Sequence, residues 1–285
     1  MNNLYLQIGP LVFNLTSEQP LEISDEIKQF FIKQITHQQV IYCTVKVTNE
    51  FAPVHGNLVF QNGERLMYND RGKETRIHFF NYQPYGIYRE IDDNHFMIEV
   101  ITPKINILFI ELFALEKYLL NHNALILHSA FIQWHHQGIV FSAPSQTGKS
   151  TQAALWKQYQ HATIINGDRS ILVYDDKNNH IEVWGLPFCG SSKINLNEHY
   201  PLKAIVFLKQ APINEANLIE KSIASYNLFK EISVNKWNLT SIDQSLALIE
   251  KIIANTLLIS LKCKIDQDAV NVLKTLIKRD CNETK

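Results

Sequence analysis

Through the first hundred residues apolar and polar positions alternate, and a period of two predicts strands rather than helices. Leu4–Leu15 reads as strands broken at Gly9-Pro10, and Val40–Val47 and Asn57–Phe60 as further strands. Asn62-Gly63 is a hairpin signal ahead of Leu66–Tyr68. Thr75–Tyr82, Gly86–Ile91 and His95–Ile101 continue the meander. One interlude differs: Ile23, Ile27, Phe30, Phe31 and Ile35 recur at helical spacing and predict a short amphipathic helix within Leu21–Ile35. The aromatics Phe79, Phe80, Tyr82, Tyr85 and Tyr88 suit cross-strand packing, since no basic residues interleave them as a stacking platform would require.

Beyond residue 105 helices enter. Phe109, Leu112, Phe113, Leu119 and Leu120 form one helical stripe, interrupted by Glu116. Leu125–Ile132 and Gln137–Ser142 predict two strands about a His135-His136 turn. Thr163–Asn166, Ser170–Tyr174 and Ile181–Trp184 predict three more, the last two joined by the turn Asp175–Asn179. Lys203–Lys209 has a continuous apolar middle, as a strand covered on both faces does. From Ser241, Leu246, Ile249, Ile253, Leu257 and Leu261 fall on one helical face, and another amphipathic helix spans Asp266–Lys278. The shift in composition divides the chain into a β-rich domain, 1–105, and an α/β domain, 106–285.

The 285 residues carry 27 basic and 28 acidic side chains, a formal net charge of -1, and this disfavours nucleic acid or an anionic membrane as partner. Cys43, Cys189, Cys263 and Cys281 form no CxxC pair, so neither a disulfide framework nor a zinc site is expected. Met1–Tyr5 shows no signal-peptide pattern, and the apolar run Ile105–Leu115 is too short to span a bilayer. A soluble, cytoplasmic protein is expected.

The most informative chemistry follows the strand ending at Ser142. Ala143-Pro144-Ser145-Gln146-Thr147-Gly148-Lys149-Ser150-Thr151 leads from a strand through a small polar loop into a helix-forming stretch, which is the context of a phosphate-cradling P-loop. Ser145, Gln146, Thr147, Gly148 and Thr151 would line the cradle, with backbone N–H groups turned to phosphate oxygens. Lys149 would meet the β- and γ-phosphates of ATP, and Ser150 would offer its hydroxyl to Mg²⁺. The motif departs from its usual form at Ala143, where a glycine is expected, and at Gln146. About twenty residues after Lys149, Asp168 ends an apolar strand. It can coordinate Mg²⁺ or accept the proton of an attacking hydroxyl, or it can simply make a turn with Gly167. Arg169 can contact phosphate or pair with Asp168.

From Leu125 to Leu208 the chain resembles the HPr kinase/phosphorylase family, itself related to ATP-dependent phosphoenolpyruvate carboxykinase. The stretches Ser142–Ser145, Thr147–Trp156, Asn166–Arg169 and Pro201–Leu208 are similar to the branch found with peptide natural-product clusters. The resemblance implies a P-loop kinase domain with a mixed sheet, joined to the smaller β-rich N-terminal domain that composition marks and that shares no such resemblance. It places His128 beside the reacting phosphate, although a lone histidine on an apolar strand can equally be a core residue. It makes Asp168 the catalytic acid, with Gly167 replacing a second aspartate and so arguing against a phosphorylase activity. It makes Glu182 a second Mg²⁺ ligand or a solvated strand residue, and Trp184, where that family has arginine, argues against HPr as substrate. Lys193, in the loop Gly185–Lys193, neutralises transition-state charge or is solvated.

The expected activity is Mg-ATP-dependent transfer of the γ-phosphate to a serine or threonine hydroxyl of a peptide or small protein, recognised with help from the N-terminal domain. An ATP-binding regulatory module and a kinase of a small hydroxyl metabolite are the alternatives. A homo-oligomer is conceivable by the same resemblance.

Overall fold

The computed structural model describes residues 2–35 and 39–283; Met1 and the side chain of Cys281, both named above, lie outside the described residues. The chain divides into two compact units, Met1–Leu115 and Glu116–Lys285.

The described residues of the first unit form strands β1 (Asn2–Ile8), β2 (Leu11–Ser17), β3 (Glu22–Ile23), β4 (Phe31–Ile32), β5 (Gln39–Val47), β6 (Asn57–Gln61), β7 (Arg65–Asp70), β8 (Lys73–Phe80), β9 (Gln83–Asp92), β10 (His95–Val100) and β11 (Lys104–Ile105), followed by the short helix α1 (Ile107–Glu111). Nine of them form one sheet in the order β4-β1-β2-β5-β10-β9-β8-β7-β6. The meander from β6 to β10 is antiparallel, whereas β5 runs parallel to both β2 and β10. Phe13, Phe96, Phe109 and Phe113 pack edge to face or tilted at 5.0–6.2 Å and form the aromatic centre of the core. The helix predicted within Leu21–Ile35 is instead a 3₁₀ turn, Asp25–Phe30, between the two-residue strands β3 and β4. Its apolar spacing is real, because Ile27 and Phe30 are fully buried, but six residues are too few for a stable α-helix.

The buried face of β8 is polar. Alternation turns Glu74, Arg76 and His78 inward, with Arg76 paired to Glu74. Burial, aided by the positive charges of Arg65 and Arg76, holds the His78 imidazole well below its ordinary pKa of 6.5.

The second unit begins within α2 (Leu115–Leu120), and the single helix expected over Phe109–Leu120 is broken between Glu111 and Leu115. Then come β12 (Ala124–Trp134), β13 (Gln137–Ser142), α3 (Lys149–Gln160), β14 (Thr163–Asn166), β15 (Arg169–Asp175), β16 (His180–Trp184), β17 (His199–Gln210), β18 (Glu215–Leu218), α4 (Lys221–Glu231), β19 (Ile232–Ser233), α5 (Leu239–Ala254), β20 (Leu257–Cys263) and α6 (Gln267–Glu283). The sheet order is β13-β12-β15-β16-β17-β20-β18, with β13 also pairing parallel to β17. It is a mixed sheet in an α/β unit. Both residues of the β12–β13 turn, His135 and His136, adopt positive φ (51° and 59°), as a type I′ hairpin requires.

β17 is covered on both faces. Ile205 and Phe207 join a core with α4 and α5, while Ala204, Val206 and Leu208 join one with α3 and α6. The helix expected from Ser241 through Leu261 ends at Ala254. Leu257–Cys263 is a strand, parallel to β17 from Ala204↔Leu257 to Gln210↔Cys263. The residues Leu257, Ile259 and Leu261 satisfy a period of two as well as helical spacing, and pairing with a buried strand selects the former. Among the described residues no helix is long and apolar enough to cross a membrane.

Candidate active site

β12 changes partners halfway along its length. Over Ile126–Leu127 it lies against β15 and β19; over Phe131–Gln133 it lies against β13 and β14. The changeover falls at His128 and Ser129. There the β14–β15 link, Gly167-Asp168, comes close, and Ser129 N–H donates to the Asp168 carbonyl at 3.0 Å. Ser142, the last residue of β13 before the glycine-lysine loop, donates its hydroxyl to the His128 carbonyl at 3.1 Å. A site at such a break in strand order needs no special loop to open it.

Asn166 builds the acidic side of this site. Fully buried, its side-chain N–H₂ donates to the carbonyls of Leu186 and Phe188, both at 2.8 Å. Its Oδ1 accepts from the backbone N–H of Asp168 (2.9 Å) and of Arg169 (3.0 Å), an Asx turn that fixes the carboxylate's position. Gly167 is required by contact: a Cβ there would lie 2.1 Å from Ser192 Oγ. Gly190, with φ +53°, brings the same loop onto the Asp168 side chain. Arg169 Nε lies 3.3 Å from Asp168 Oδ2, and its guanidinium covers the Phe188 ring at 4.9 Å, so Arg169 pairs with the carboxylate. The other oxygen, Oδ1, stands 3.8 Å from His128 Nε2.

Lys149 opens α3. Gly148, with φ +107°, and Gln146, with φ +64°, bend the loop into it. The Lys149 ammonium is buried beneath the loop, donating to the carbonyls of Ala143 (2.7 Å) and Pro144 (3.2 Å). Burial lowers its pKa, and the negative charges of Glu231 and Asp168 oppose that shift. Ser145, Gln146 and Ser150 are exposed; Thr147 and Thr151 are half-buried. Beside the loop an open groove of about 420 Å³ runs from Gln146–Gly148 and Thr151 to Gln210 and Cys263–Ile265. Gln152 also lines it and leaves one buried side-chain oxygen without a partner.

The structure thus brings Lys149, His128 and Asp168 together but not two other residues singled out above. Glu182 pairs across from Val173, five residues beyond Asp168 and about 16 Å away along an extended strand. Its carboxylate accepts from Trp184 Nε1 (3.1 Å) and meets His199 Nδ1 at 3.4 Å, a contact that lowers its pKa. Lys193 is exposed at the end of the Gly190–Ser192 turn and makes no ion pair among the described residues. Cys189 is half-buried in the same loop. One residue was missed: Glu231, whose Oε2 lies 3.1 Å from His128 Nδ1. Sequence offered no signal for it, being about a hundred positions away. Asn166 lay in view, because Asn-Gly-Asp is turn-forming, yet its four hydrogen bonds were not predictable from that.

Fold and site define the class: a mixed α/β unit with a glycine-lysine loop, a buried lysine, and a histidine–aspartate pair at the break in strand order. The family model described as SynChlorMet cassette protein ScmC matches residues 99–265, more than half of the chain, and the chain belongs to that family. No curated protein matches it. Among solved structures it is similar to the Hpr(Ser) kinase/phosphatase from Coxiella burnetii, with 10% identity and a TM-score of 0.29 over 56% of this chain and 97% of that one. A superposition that loose fixes no residue correspondence.

Proposed function

We propose that this protein is a Mg-ATP-dependent phosphotransferase that moves the γ-phosphate to a serine or threonine hydroxyl of a peptide or small protein. The observation that carries the reading is a chain of contacts: Lys149 bonds the Ala143 carbonyl, its neighbour Ser142 bonds the His128 carbonyl, and the His128 ring faces Asp168. Loop N–H groups and the α3 N-terminus suit phosphate, and Lys149 would exchange its two carbonyl contacts for the β- and γ-phosphates. The neighbouring groove has room for a nucleoside, and the unpartnered Gln152 oxygen is the kind of acceptor a polar ligand satisfies. Ser150, exposed on the first turn of α3, would hold Mg²⁺, whose chemistry when bound is to neutralise charge on the phosphates. Mg²⁺ carried on phosphate needs only one or two protein ligands, so this sparse donor set suits it.

Asp168 suits the base. Arg169 occupies one carboxylate oxygen and leaves the other facing His128. The hydroxyl proton passes to that oxygen as the new O–P bond forms and the bond from the γ-phosphorus to ADP breaks. For the acceptor, the family's description as a cassette protein suits a substrate encoded alongside. In the first unit β6 is an edge strand, with Leu58 half exposed, and such edges add extended peptides as a further strand.

Calorimetric titration with Mg-ATP, followed by transfer assays against hydroxyl-bearing peptides and small metabolites, tests this. Absence of nucleotide binding overturns it. Binding without transfer to any acceptor would instead support a regulatory module, a reading favoured by the strained, non-glycine Gln146 in the loop.

A further inference from the structure

Glu231 closes α4, and β19 follows at once. β19 pairs antiparallel to β12 as Leu127↔Ile232 and Ile126↔Ser233. One step further in that register sets Glu231 opposite His128. There its Oε2 is 3.1 Å from His128 Nδ1, while Nε2 on the far side of the ring is 3.8 Å from Asp168 Oδ1. Glu231 is 13% exposed, so its charge is largely withdrawn from water. It also sits at the negative end of a helix, where a carboxylate is disfavoured. Helix stability therefore gives no reason for a glutamate at this position; its charge favours the Lys149 ammonium, and its hydrogen-bond contact with a site side chain is to the ring.

An ionised carboxylate only accepts hydrogen bonds. A neutral His128 has one N–H for two carboxylates, and only Glu231, at 3.1 Å, is within hydrogen-bond reach, so the proton sits on Nδ1 and the Nε2 lone pair is directed at Asp168. Resting on the reading of Asp168 as the base, we propose that Glu231 is a positioning residue that holds His128 in the Nδ1–H tautomer. Nε2 can then take from Asp168 the proton received from the acceptor hydroxyl. The transfer leaves an ionised Asp168 and an imidazolium between two carboxylates, and the ring later releases the proton to water. The gap of 3.8 Å is longer than a hydrogen bond, and catalytic contacts commonly shorten only once substrate is bound.

Nitrogen-15 NMR of the histidine rings in the nucleotide-free protein, at alkaline pH where imidazole is neutral, reads the tautomer directly. The Nδ1–H form is expected at His128 in the wild type and in Glu231→Gln, whose amide oxygen also accepts. Glu231→Ala is expected to shift it toward Nε2–H. In parallel, Glu231→Ala should keep Mg-ATP affinity within about threefold while slowing phosphoryl transfer, or the slower ATP hydrolysis, about 10–100-fold, with Glu231→Gln recovering much of the loss. An Nε2–H ring in the wild type, or a tautomer unmoved in folded Glu231→Ala, overturns the proposal. Should Glu231→Ala not fold, the wild-type spectrum still decides. A protein that binds no ATP defeats the proposed function but leaves the tautomer result standing as the test of Glu231.

Discussion

Lys149 and Asp168 sit in one site but act at different stages, so their substitutions should separate. Lys149→Ala removes the ammonium that the phosphates need, and nucleotide binding measured by calorimetry should fall below detection. Because Lys149 is buried and bonded to two carbonyls, the same change should also cost about 1–2 kcal/mol of stability in urea titrations. An affinity unchanged in the folded variant would remove the basis of the phosphate assignment. Asp168→Asn keeps the shape and the turn but cannot take a proton. ATP affinity should hold within a few-fold while the single-turnover rate falls by about 10²–10⁴. Near-normal transfer would reduce Asp168 to a turn residue beside Asn166.

Among the elements, the loop after β16 is the one on which the site leans most. Its carbonyls at Leu186 and Phe188 anchor Asn166, and Asn166 anchors Asp168. Gly185 starts this loop, and a Cβ there would lie 2.0 Å from the Leu196 carbonyl oxygen. That neighbour is backbone, held in turn by the Leu196 N–H bond to Ile165, so it cannot rotate aside. Gly185→Ala should therefore destabilise the protein by about 1–3 kcal/mol and slow transfer more than it weakens ATP binding. Thermal melts and paired affinity and rate measurements check both parts. A variant with wild-type stability would show that the loop yields without disturbing the carboxylate.

For the whole molecule, the two units predict two separable properties. Buried His78 belongs to the first. Its folded pKa is depressed, so between that value and 6.5 the unfolded chain binds a proton that the native state does not. Stability from this group is therefore complete above pH 6.5 and declines on acidification, by up to about 1.4 kcal/mol per pH unit. His78→Leu should flatten that decline in urea midpoints measured across pH; an unchanged slope would place the acid sensitivity elsewhere. The second unit holds every residue of the proposed site, from His128 to Glu231. A fragment spanning 116–285 should bind Mg-ATP within a few-fold of the full chain yet phosphorylate a peptide acceptor far less efficiently. Equal transfer by both would remove the first unit from substrate recognition.

The sequence by itself determined what short-range pattern can carry. Alternation marked the meander around Asn62-Gly63, because a strand's two faces repeat every second residue, and an unbroken apolar run marked the strand at Lys203–Lys209, because both of its faces are covered. Gly148-Lys149-Ser150-Thr151 announced its loop through residue type and local context alone. Spacing was ambiguous at Leu257–Cys263, which fits either period, and only a partner strand more than fifty residues earlier decided between them. Nor could spacing separate Glu182 from Glu231. Both are acidic residues beside apolar neighbours; family resemblance singled out Glu182, and nothing in the sequence singled out Glu231. Register decided: β16 carries Glu182 away along the sheet, while β19, two residues long, sets Glu231 against His128. Strand pairing is a long-range choice made by burial and backbone hydrogen bonding across the whole unit, so it is written in no single segment.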